Sequence, residues 1–228
     1  MFDRLKLITD DKLLNAFKNI KILLVGVGGV GGYALECLVR SGFLNITIID
    51  HDVIDLSNLN RQIISLHSNI GLKKVDIAKK RALDINPDAN INIIDDFLLP
   101  DNIDNLLREK YDYIIDACDT ITAKVELIKY ASVHNIKLIT SMGTGNRFDS
   151  TKLTITKLSK TSNDPLAKNL RRILKEKNIR VNQNVVWSSE LPIKNHNRTP
   201  GSIILVPMQA GNLCASFIIS DIKKELFK

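Results

Sequence analysis

The sequence predicts an α/β fold of the Rossmann type, with a mostly parallel sheet covered by helices on both faces. Short apolar strands alternate with helical segments from Ile20 to Thr140, a pattern typical of right-handed crossovers between parallel strands. Strands such as KILLV and YIID are continuous apolar runs, as expected for strands buried on both faces. A glycine-rich turn follows the first of these strands, and this order is common in nucleotide-binding α/β proteins.

The elements of this first part follow from local signals. The helix Leu72–Ile85 carries Val75, Ala78 and Ala82 on one face and ends before Asn86-Pro87, because a residue that precedes proline disfavours helical backbone. Another helix follows the glycine turn and continues to Arg40, and a third is expected near Ala123–His134. Strands are expected at Ile20–Val25, Thr47–Asp50, Ile91–Ile94, Tyr113–Asp116 and Lys137–Thr140.

After Gly145 the pattern changes to a short, basic α+β appendage. Asp164-Pro165 predicts a helix start, with an N-cap followed by proline at the first helical position. Because no flexible linker interrupts the chain, we expect residues 1–228 to form one domain, with residues 147–198 built onto the same sheet. Strands are expected at Leu153–Thr156, Val185–Ser188 and Ile203–Val206, and a closing helix at Met208–Leu226.

Charge is concentrated in one segment. The 228-residue chain has a net charge of +7, and residues 147–198 alone hold twelve basic and four acidic side chains. Such asymmetry indicates a polyanionic partner, of which nucleic acid is the first candidate. Charge alone fits equally well a basic surface without a partner.

The cysteines and the apolar segments indicate a cytoplasmic protein. Cys37, Cys118 and Cys214 are odd in number and far apart, which excludes a disulfide framework and any CxxC zinc pair. The N-terminus mixes both charges without an apolar core, so no targeting segment is expected. Thr199–Ser220 is uncharged over 22 residues, but it contains proline, glutamine and asparagine. We therefore expect a buried strand and helix and no membrane span.

The glycine-rich turn fits the G-x-G-x-x-G pattern of nucleotide-binding proteins. Gly26, Gly28 and Gly31 follow a strand and open a helix, where backbone N–H groups can reach a phosphate. Asp50 ends the next strand, 24 residues after Gly26, where a carboxylate can hold ribose hydroxyls. These residues predict a nucleotide site, and both ATP and NAD remain possible at this point.

The residues beyond Asp50 favour ATP over NAD. Lys73 and Lys74 lie at a helix start, where positive charge opposes the helix dipole and therefore indicates a nearby anion. Arg61 precedes Lys74 by 13 residues. Asp116 and Asp119 end a parallel strand, at the usual ligand edge of such sheets. Phosphates near Arg61 and Lys74, with Mg²⁺ at Asp119, would describe ATP.

Several motifs resemble those of ubiquitin-activating enzymes and bacterial sulfur-carrier adenylyltransferases. They are GVGGVG, the D-H-D pair, LSNLNRQ, GLKKV, INP and DACDT. The segments DPLAKNLRRILK and VVWSSE are more similar to those of the tRNA threonylcarbamoyladenosine dehydratases within that family. This resemblance covers about residues 10–220 and implies ATP-dependent cyclisation of threonylcarbamoyladenosine in tRNA through a carboxyl-adenylate.

The resemblance also implies roles for individual residues. The glycines cradle the nucleotide, Asp50 holds its ribose with Asp52 beside it, and Asp119 organises Mg²⁺. A homodimer is implied, in which Arg61 could act across the interface. The residues implied to bind ATP are Gly26, Gly28, Gly29, Gly31, Asp50, Asp52, Asn58, Arg61, Gln62, Lys74 and Asp119, and those implied to be catalytic are Arg61, Lys74 and Asp119.

Two departures from the family pattern bear on the chemistry. The chain lacks the CxxC pairs that bind zinc in the larger sulfur-carrier adenylyltransferases, and the segment 191–201 has no cysteine. A covalent thioester step is therefore disfavoured, and Cys118 and Cys214 are interpreted as buried thiols. Three alternatives remain: activation of the C-terminal glycine of a sulfur-carrier protein, a nucleotide-binding scaffold, and an NAD-linked oxidoreductase.

The helix that begins at Pro165 is the candidate contact with tRNA. Leu166, Leu170, Ile173 and Leu174 form an apolar stripe. A second face carries Lys168, Arg171, Arg172 and Lys175 with no acidic residue among them. We interpret this face as binding the phosphate backbone, with a solvated surface as the alternative.

Overall fold

The computed structural model describes residues 1–194 and 199–227, and within this part of the chain one seven-stranded sheet organises the fold. The strand order is β3-β2-β1-β4-β5-β7-β6, and every neighbouring pair is parallel except β6 and β7. The α/β prediction is confirmed. The strands are β1 (Lys21–Val25), β2 (Asn45–Ile49), β3 (Asn90–Ile94), β4 (Tyr113–Asp116), β5 (Lys137–Ser141), β6 (Leu153–Lys157) and β7 (Asn184–Ser188).

Helices cover both faces of the sheet, as predicted. They are α1 (Asp3–Lys6), α2 (Asp11–Asn19), α3 (Gly31–Arg40), α4 (Lys74–Ile85), α5 (Ile103–Leu106), α6 (Ile121–Val133), α7 (Pro165–Glu176) and α8 (Leu205–Leu226). Alternate residues of β1 show the division: Ile22 and Leu24 pack with α2, α3, α4 and α8, whereas Leu23 and Val25 pack with α5, α6 and α7.

The appendage continues the sheet. Strand β7 pairs in parallel with β5, and β6 pairs antiparallel with β7 at the sheet edge. Asp164 caps α7 by accepting a hydrogen bond from the Ala167 amide at 3.0 Å, and Pro165 is the first helical residue, both as predicted. The strands of the basic segment thus belong to the same sheet as the strand that precedes the glycine-rich turn.

One predicted strand is wrong. Ile203–Val206 is not extended, because α8 already begins at Leu205. Pro207 lies in the first turn of this helix, where a backbone N–H needs no partner and proline is tolerated. The closing helix is confirmed, but it starts three residues earlier than Met208.

Helix α8 is the one segment among the described residues that is long and apolar enough to cross a membrane by length and composition. Val206, Ala210, Cys214 and Ile218 of this helix are buried in the core with α3 and the sheet. Near its C-terminal end, Asp221 accepts hydrogen bonds from Lys137 at 2.7 Å and from the Tyr113 hydroxyl at 2.8 Å. These contacts are those of a core helix in a folded domain.

Candidate active site

A cavity of about 390 Å³ lies at the carboxyl ends of the central strands. The strand order reverses between β1 and β4, and open α/β sheets bind ligands in the crevice at such a switch point. The cavity is lined by the glycine turn, the segments that follow β2 and β4, and parts of two later loops. Nine of the eleven residues predicted to bind ATP line it: Gly26, Gly28, Gly29, Asp50, Asp52, Arg61, Gln62, Lys74 and Asp119.

Two glycines give the turn its shape. Gly26 has φ +86°, and a Cβ there would lie 2.9 Å from the Ala117 carbonyl oxygen. A Cβ on Gly31 would lie 1.8 Å from the Gly26 carbonyl oxygen. Gly31 does not line the cavity. The close approach gives it a packing role, and its contact with the nucleotide stays a prediction. It lets α3 begin directly against the turn.

Asp50 is held in a fixed orientation. Its Oδ2 accepts a hydrogen bond from the Val27 amide at 2.8 Å, and its Oδ1 accepts one from the Asp52 amide at 2.9 Å. Each carboxylate oxygen retains a free lone pair. The carboxylate can therefore accept further hydrogen bonds from a ligand, such as those of ribose hydroxyls.

Lys74 is a buried lysine whose ammonium faces the cavity. Only 5% of the residue is exposed, and its Nζ lies 2.6 Å from Asp52 Oδ2. Asp52 is half-exposed, and its Oδ1 lies 3.2 Å from His51 Nε2. The sequence predicts an anion beside Lys74, and within the chain this anion is the Asp52 carboxylate. A phosphate bound in the cavity would contact the Lys74 ammonium together with Asp52.

The loop after β2 supplies Arg61 and Gln62 to the cavity, but not Asn58. Arg61 donates to the Ser57 carbonyl at 2.6 Å and to Asn60 Oδ1 at 3.0 Å, so it lies along its own loop and lines the cavity of its own chain. The Asn58 side chain accepts a hydrogen bond from the Asp55 amide at 3.1 Å and closes a capping box. Asn58 therefore shapes this loop, and its contact with phosphates stays a prediction.

Asp116 and Asp119 have different environments although both follow β4. Asp119 is exposed and lines the cavity. Asp116 is fully buried and lies 3.0 Å from the Nζ of Lys124, which is also fully buried. Lys124 also donates to the Ser141 carbonyl at 2.9 Å. The sequence analysis did not identify Lys124. The available indication was that this lysine lies on the core-facing side of a mostly apolar helix.

The two cysteines nearest this site are poor nucleophiles. Burial, with a smaller contribution from the nearby Asp116 carboxylate, raises the pKa of the Cys118 thiol well above its ordinary value. Burial raises the pKa of Cys214 to about 12. Cys118 Sγ lies 3.0 Å from Asp116 Oδ1, to which it donates. Both thiols are thus protonated at neutral pH, and a thiolate is the reactive form.

We expect the variants Cys118→Ser and Cys214→Ala to retain most of the activity. The serine hydroxyl can still donate to Asp116, and alanine removes a neutral thiol without leaving a charge. Pyrophosphate release by each variant, measured per folded molecule, checks this expectation. Loss of activity in the Cys118→Ser variant with unchanged ATP binding would indicate a covalent step.

Sequence reasoning also missed part of the cavity wall. Phe97 and Leu98, after β3, line the end near Asp50, and the His51 and Phe97 rings are 4.5 Å apart in an edge-to-face contact. Two later loops and the first turn of α8 form another part of the wall. The loop residues are Thr144, Gly145, Thr199, Pro200, Gly201 and Ser202, and α8 contributes Pro207.

The four basic residues of α7 are not equivalent. Arg171 is half-buried and donates to the carbonyls of Leu158 and Thr161 at 3.3 and 2.9 Å and to the Thr161 hydroxyl. Arg172 pairs with Glu176 at 2.6 Å on the exposed side. Lys168 and Lys175 are exposed. The basic face is therefore formed by Lys168, Arg172 and Lys175, while Arg171 stabilises the adjacent loop.

Comparisons with known proteins identify relatives that span most or all of this chain. A tRNA threonylcarbamoyladenosine dehydratase of Bacillus subtilis is 34% identical over 99% of this chain and 95% of its own length. The Escherichia coli protein of that name is 42% identical over 72% of this chain and 62% of its own length. A crystal structure of the Escherichia coli enzyme in complex with ATP superposes with a TM-score of 0.93 at 33% identity, over 99% of this chain and 94% of that one.

The model of the ThiF family matches residues 3–215. This match spans the glycine turn, the cavity and the basic helix, and it extends into α8. The chain belongs to the ThiF family.

Proposed function

We propose that this protein catalyses the ATP-dependent dehydration of threonylcarbamoyladenosine in tRNA. The observation that carries the proposal is the cavity, in which a glycine turn, Asp50, Lys74 and Asp119 surround a space at the switch point of the sheet. A relative that binds ATP and is named for this reaction has the same fold over nearly its whole length. We take residues 1–228 as one adenylation domain and residues 147–198 as its tRNA-binding part.

The first chemical step is transfer of AMP to a carboxylate. The threonyl carboxylate attacks the α-phosphorus of ATP, the bond to the β-phosphate oxygen breaks, and pyrophosphate leaves. Negative charge grows on the phosphate oxygens in the transition state. Lys74 and Arg61, which line the cavity, are placed to stabilise this charge. The product of the step is a carboxyl-adenylate.

The second step closes the ring within the modification. A nitrogen or oxygen of the same modified nucleoside attacks the activated carbonyl carbon and displaces AMP, with net loss of water. Because nucleophile and electrophile belong to one molecule, positioning supplies much of the rate and no protein nucleophile is required. The raised pKa values of the Cys118 and Cys214 thiols fit a reaction without a thioester.

Asp119 is the residue best suited to hold Mg²⁺ beside the phosphates. Asp50, His51 and Asp52 form the one cluster of metal-ligand side chains found among the described residues. However, Asp50 accepts two backbone hydrogen bonds, and Asp52 faces Lys74 and His51. Asp119 is exposed in the cavity wall, and its Oδ1 accepts one bond, from Thr120 at 3.3 Å. Bound Mg²⁺ would neutralise phosphate charge.

Pyrophosphate release tests the proposed function. The protein is incubated with ATP and Mg²⁺ and either tRNA that carries threonylcarbamoyladenosine, unmodified tRNA, or a sulfur-carrier protein ending in Gly-Gly. We expect release only with the modified tRNA, together with AMP. Release only with the carrier protein would establish the alternative adenylyltransferase activity. Binding of NAD tighter than ATP, measured by calorimetry, would contradict both.

The exposed basic face of α7 is proposed to bind the tRNA backbone. The face lies on the segment with twelve basic and four acidic residues, and Lys168 and Lys175 project from it. Each phosphate neutralised by one side chain contributes about 0.7–0.9 to the slope of log affinity against log salt.

Replacing Lys168 and Lys175 together by glutamine should lower that slope by about 1.4–1.8 and leave ATP affinity unchanged. Filter retention of tRNA across a salt series measures the slope. The matched variant Arg171→Gln removes one charge that is held within the chain, so we expect a smaller change in slope. Equal slopes for wild type and the double variant would make α7 a solvated face.

We further propose that the protein is a homodimer of the cytosol. Leu56, Leu66, Ile70 and Leu72 are between 43% and 61% exposed within one segment beside the cavity. A second copy of the chain could cover this segment, as the family resemblance implies. The three cysteines are free, which fits a reducing compartment. Light scattering after size exclusion measures the mass, and a mass of one chain at micromolar concentration would contradict the dimer.

A further inference from the structure

A buried ion pair joins the cavity wall to the basic helix. Arg147 Nη1 lies 3.5 Å from Asp164 Oδ2, and each side chain is 1% exposed. Neither residue lines the cavity, and neither belongs to the basic face of α7. Burial of two charges carries a desolvation cost, and a protein with apolar side chains of similar volume in their place is often at least as stable. A contribution to stability alone therefore does not account for this ion pair.

The Asp164 carboxylate holds two segments at once. Its Oδ1 accepts the Ala167 amide hydrogen at 3.0 Å and so caps the first turn of α7. Its Oδ2 accepts the Gly143 amide hydrogen at 3.1 Å. Gly143 begins the loop whose next two residues, Thr144 and Gly145, line the cavity. One carboxylate thus ties the start of the basic helix to the cavity wall.

The Arg147 guanidinium holds the same two segments from the other side. It donates to the Asn163 carbonyl at 3.1 Å, directly before α7, and to the Gly143 carbonyl. Its Nε also donates to the Glu190 carbonyl at 3.1 Å. A displacement of α7 relative to the cavity wall would break bonds to both buried charges.

We infer that Arg147 and Asp164 are positioning residues that set the distance between tRNA bound on α7 and the reacting atoms in the cavity. The inference rests on the proposed function. The carboxylate attached to the tRNA must approach the α-phosphorus of ATP closely, and a misplacement of about 1 Å can cost about 10²-fold in rate. The Arg147–Asp164 pair thereby sets the distance between the tRNA bound on α7 and the ATP bound in the cavity.

The double variant Arg147→Met/Asp164→Asn tests this role. It removes both charges together, and asparagine keeps the ability to cap α7. We expect kcat for dehydration to fall about 10- to 100-fold, while the Kd values for ATP and for tRNA each stay within about threefold of wild type. Arg147→Lys keeps one charge against Asp164 and should recover part of kcat.

Rates are expressed per ATP-binding site counted by calorimetry, so an unfolded fraction does not lower kcat. The matched control Arg81→Met/Glu36→Gln removes an ion pair between α3 and α4, and it should leave kcat unchanged. A double variant with wild-type kcat, or one that loses tRNA affinity in proportion to kcat, would overturn the inference. Absence of pyrophosphate release by the wild-type protein with modified tRNA would instead refute the proposed function.

Discussion

Replacing Lys74 by alanine should lower ATP-dependent pyrophosphate release by roughly 10²–10³-fold. The ammonium is buried at the cavity wall, and its partner within the chain is the half-exposed Asp52 carboxylate at 2.6 Å. In the variant, no ammonium stabilises the negative charge that grows on the phosphates in the transition state. The Asp52 carboxylate is affected less, because water can solvate it once Lys74 is removed. ATP affinity, measured by calorimetry, should fall much less than turnover. Arg61→Ala should show a loss of the same order.

Lys73 provides a matched control for this prediction. It precedes Lys74, pairs with Asp95 on the surface, and its side chain is 55% exposed outside the cavity. Lys73→Ala removes the same charge from the same helix start, so a general electrostatic effect would appear in both variants. We expect Lys73→Ala to retain near-normal turnover. If Lys74→Ala and Arg61→Ala also retained it, the assignment of the phosphate site would be wrong.

The sheet could be predicted from the sequence because each strand carries a local signal. Tyr113–Asp116 is predicted with its observed bounds, and Asp164-Pro165 marks the start of α7 to the residue. The strand predicted at Ile203–Val206 was wrong because a short apolar run does not distinguish a strand from a buried helix turn. Pro207 is compatible both with the end of a strand and with the first turn of a helix.

The lining of the cavity could be predicted where residues belong to a local motif or follow the end of a strand. The glycine turn, Asp50 and Asp119 belong to this group, and their roles toward a nucleotide stay predictions. Ion pairs between different elements could not be predicted. Asp116 contacts Lys124 because the end of β4 faces the first turns of α6. The inward orientation of Arg171 likewise depends on the loop at Thr161. Sequence spacing places these residues on elements, but only the packed structure selects their partners.

Removing one partner of the buried pair beneath the cavity should destabilise the protein strongly, because an uncompensated buried charge remains. Lys124→Met leaves the Asp116 carboxylate fully buried without its cation, which typically costs about 3–5 kcal/mol of the free energy of unfolding. Urea unfolding followed by circular dichroism measures this loss. The double variant Asp116→Asn/Lys124→Met removes both charges and should recover most of it, because no unpaired charge remains.

The pH dependence and a control on the same helix complete the test. Burial has the largest single effect and lowers the pKa of Lys124, but the neighbouring groups, Asp116 first among them, together outweigh burial, so the pKa lies above its ordinary value of 10.5. A raised pKa gives stability that is fully present below the unfolded value and lost only as pH rises through the folded value. The difference between wild type and the double variant Asp116→Asn/Lys124→Met, in which neither charge remains, should therefore be equal at about pH 6 and pH 9. Lys129→Met breaks an exposed pair with Glu126 and should cost less than about 1 kcal/mol. A Lys124→Met variant no less stable than Lys129→Met would show that Asp116 does not depend on this cation.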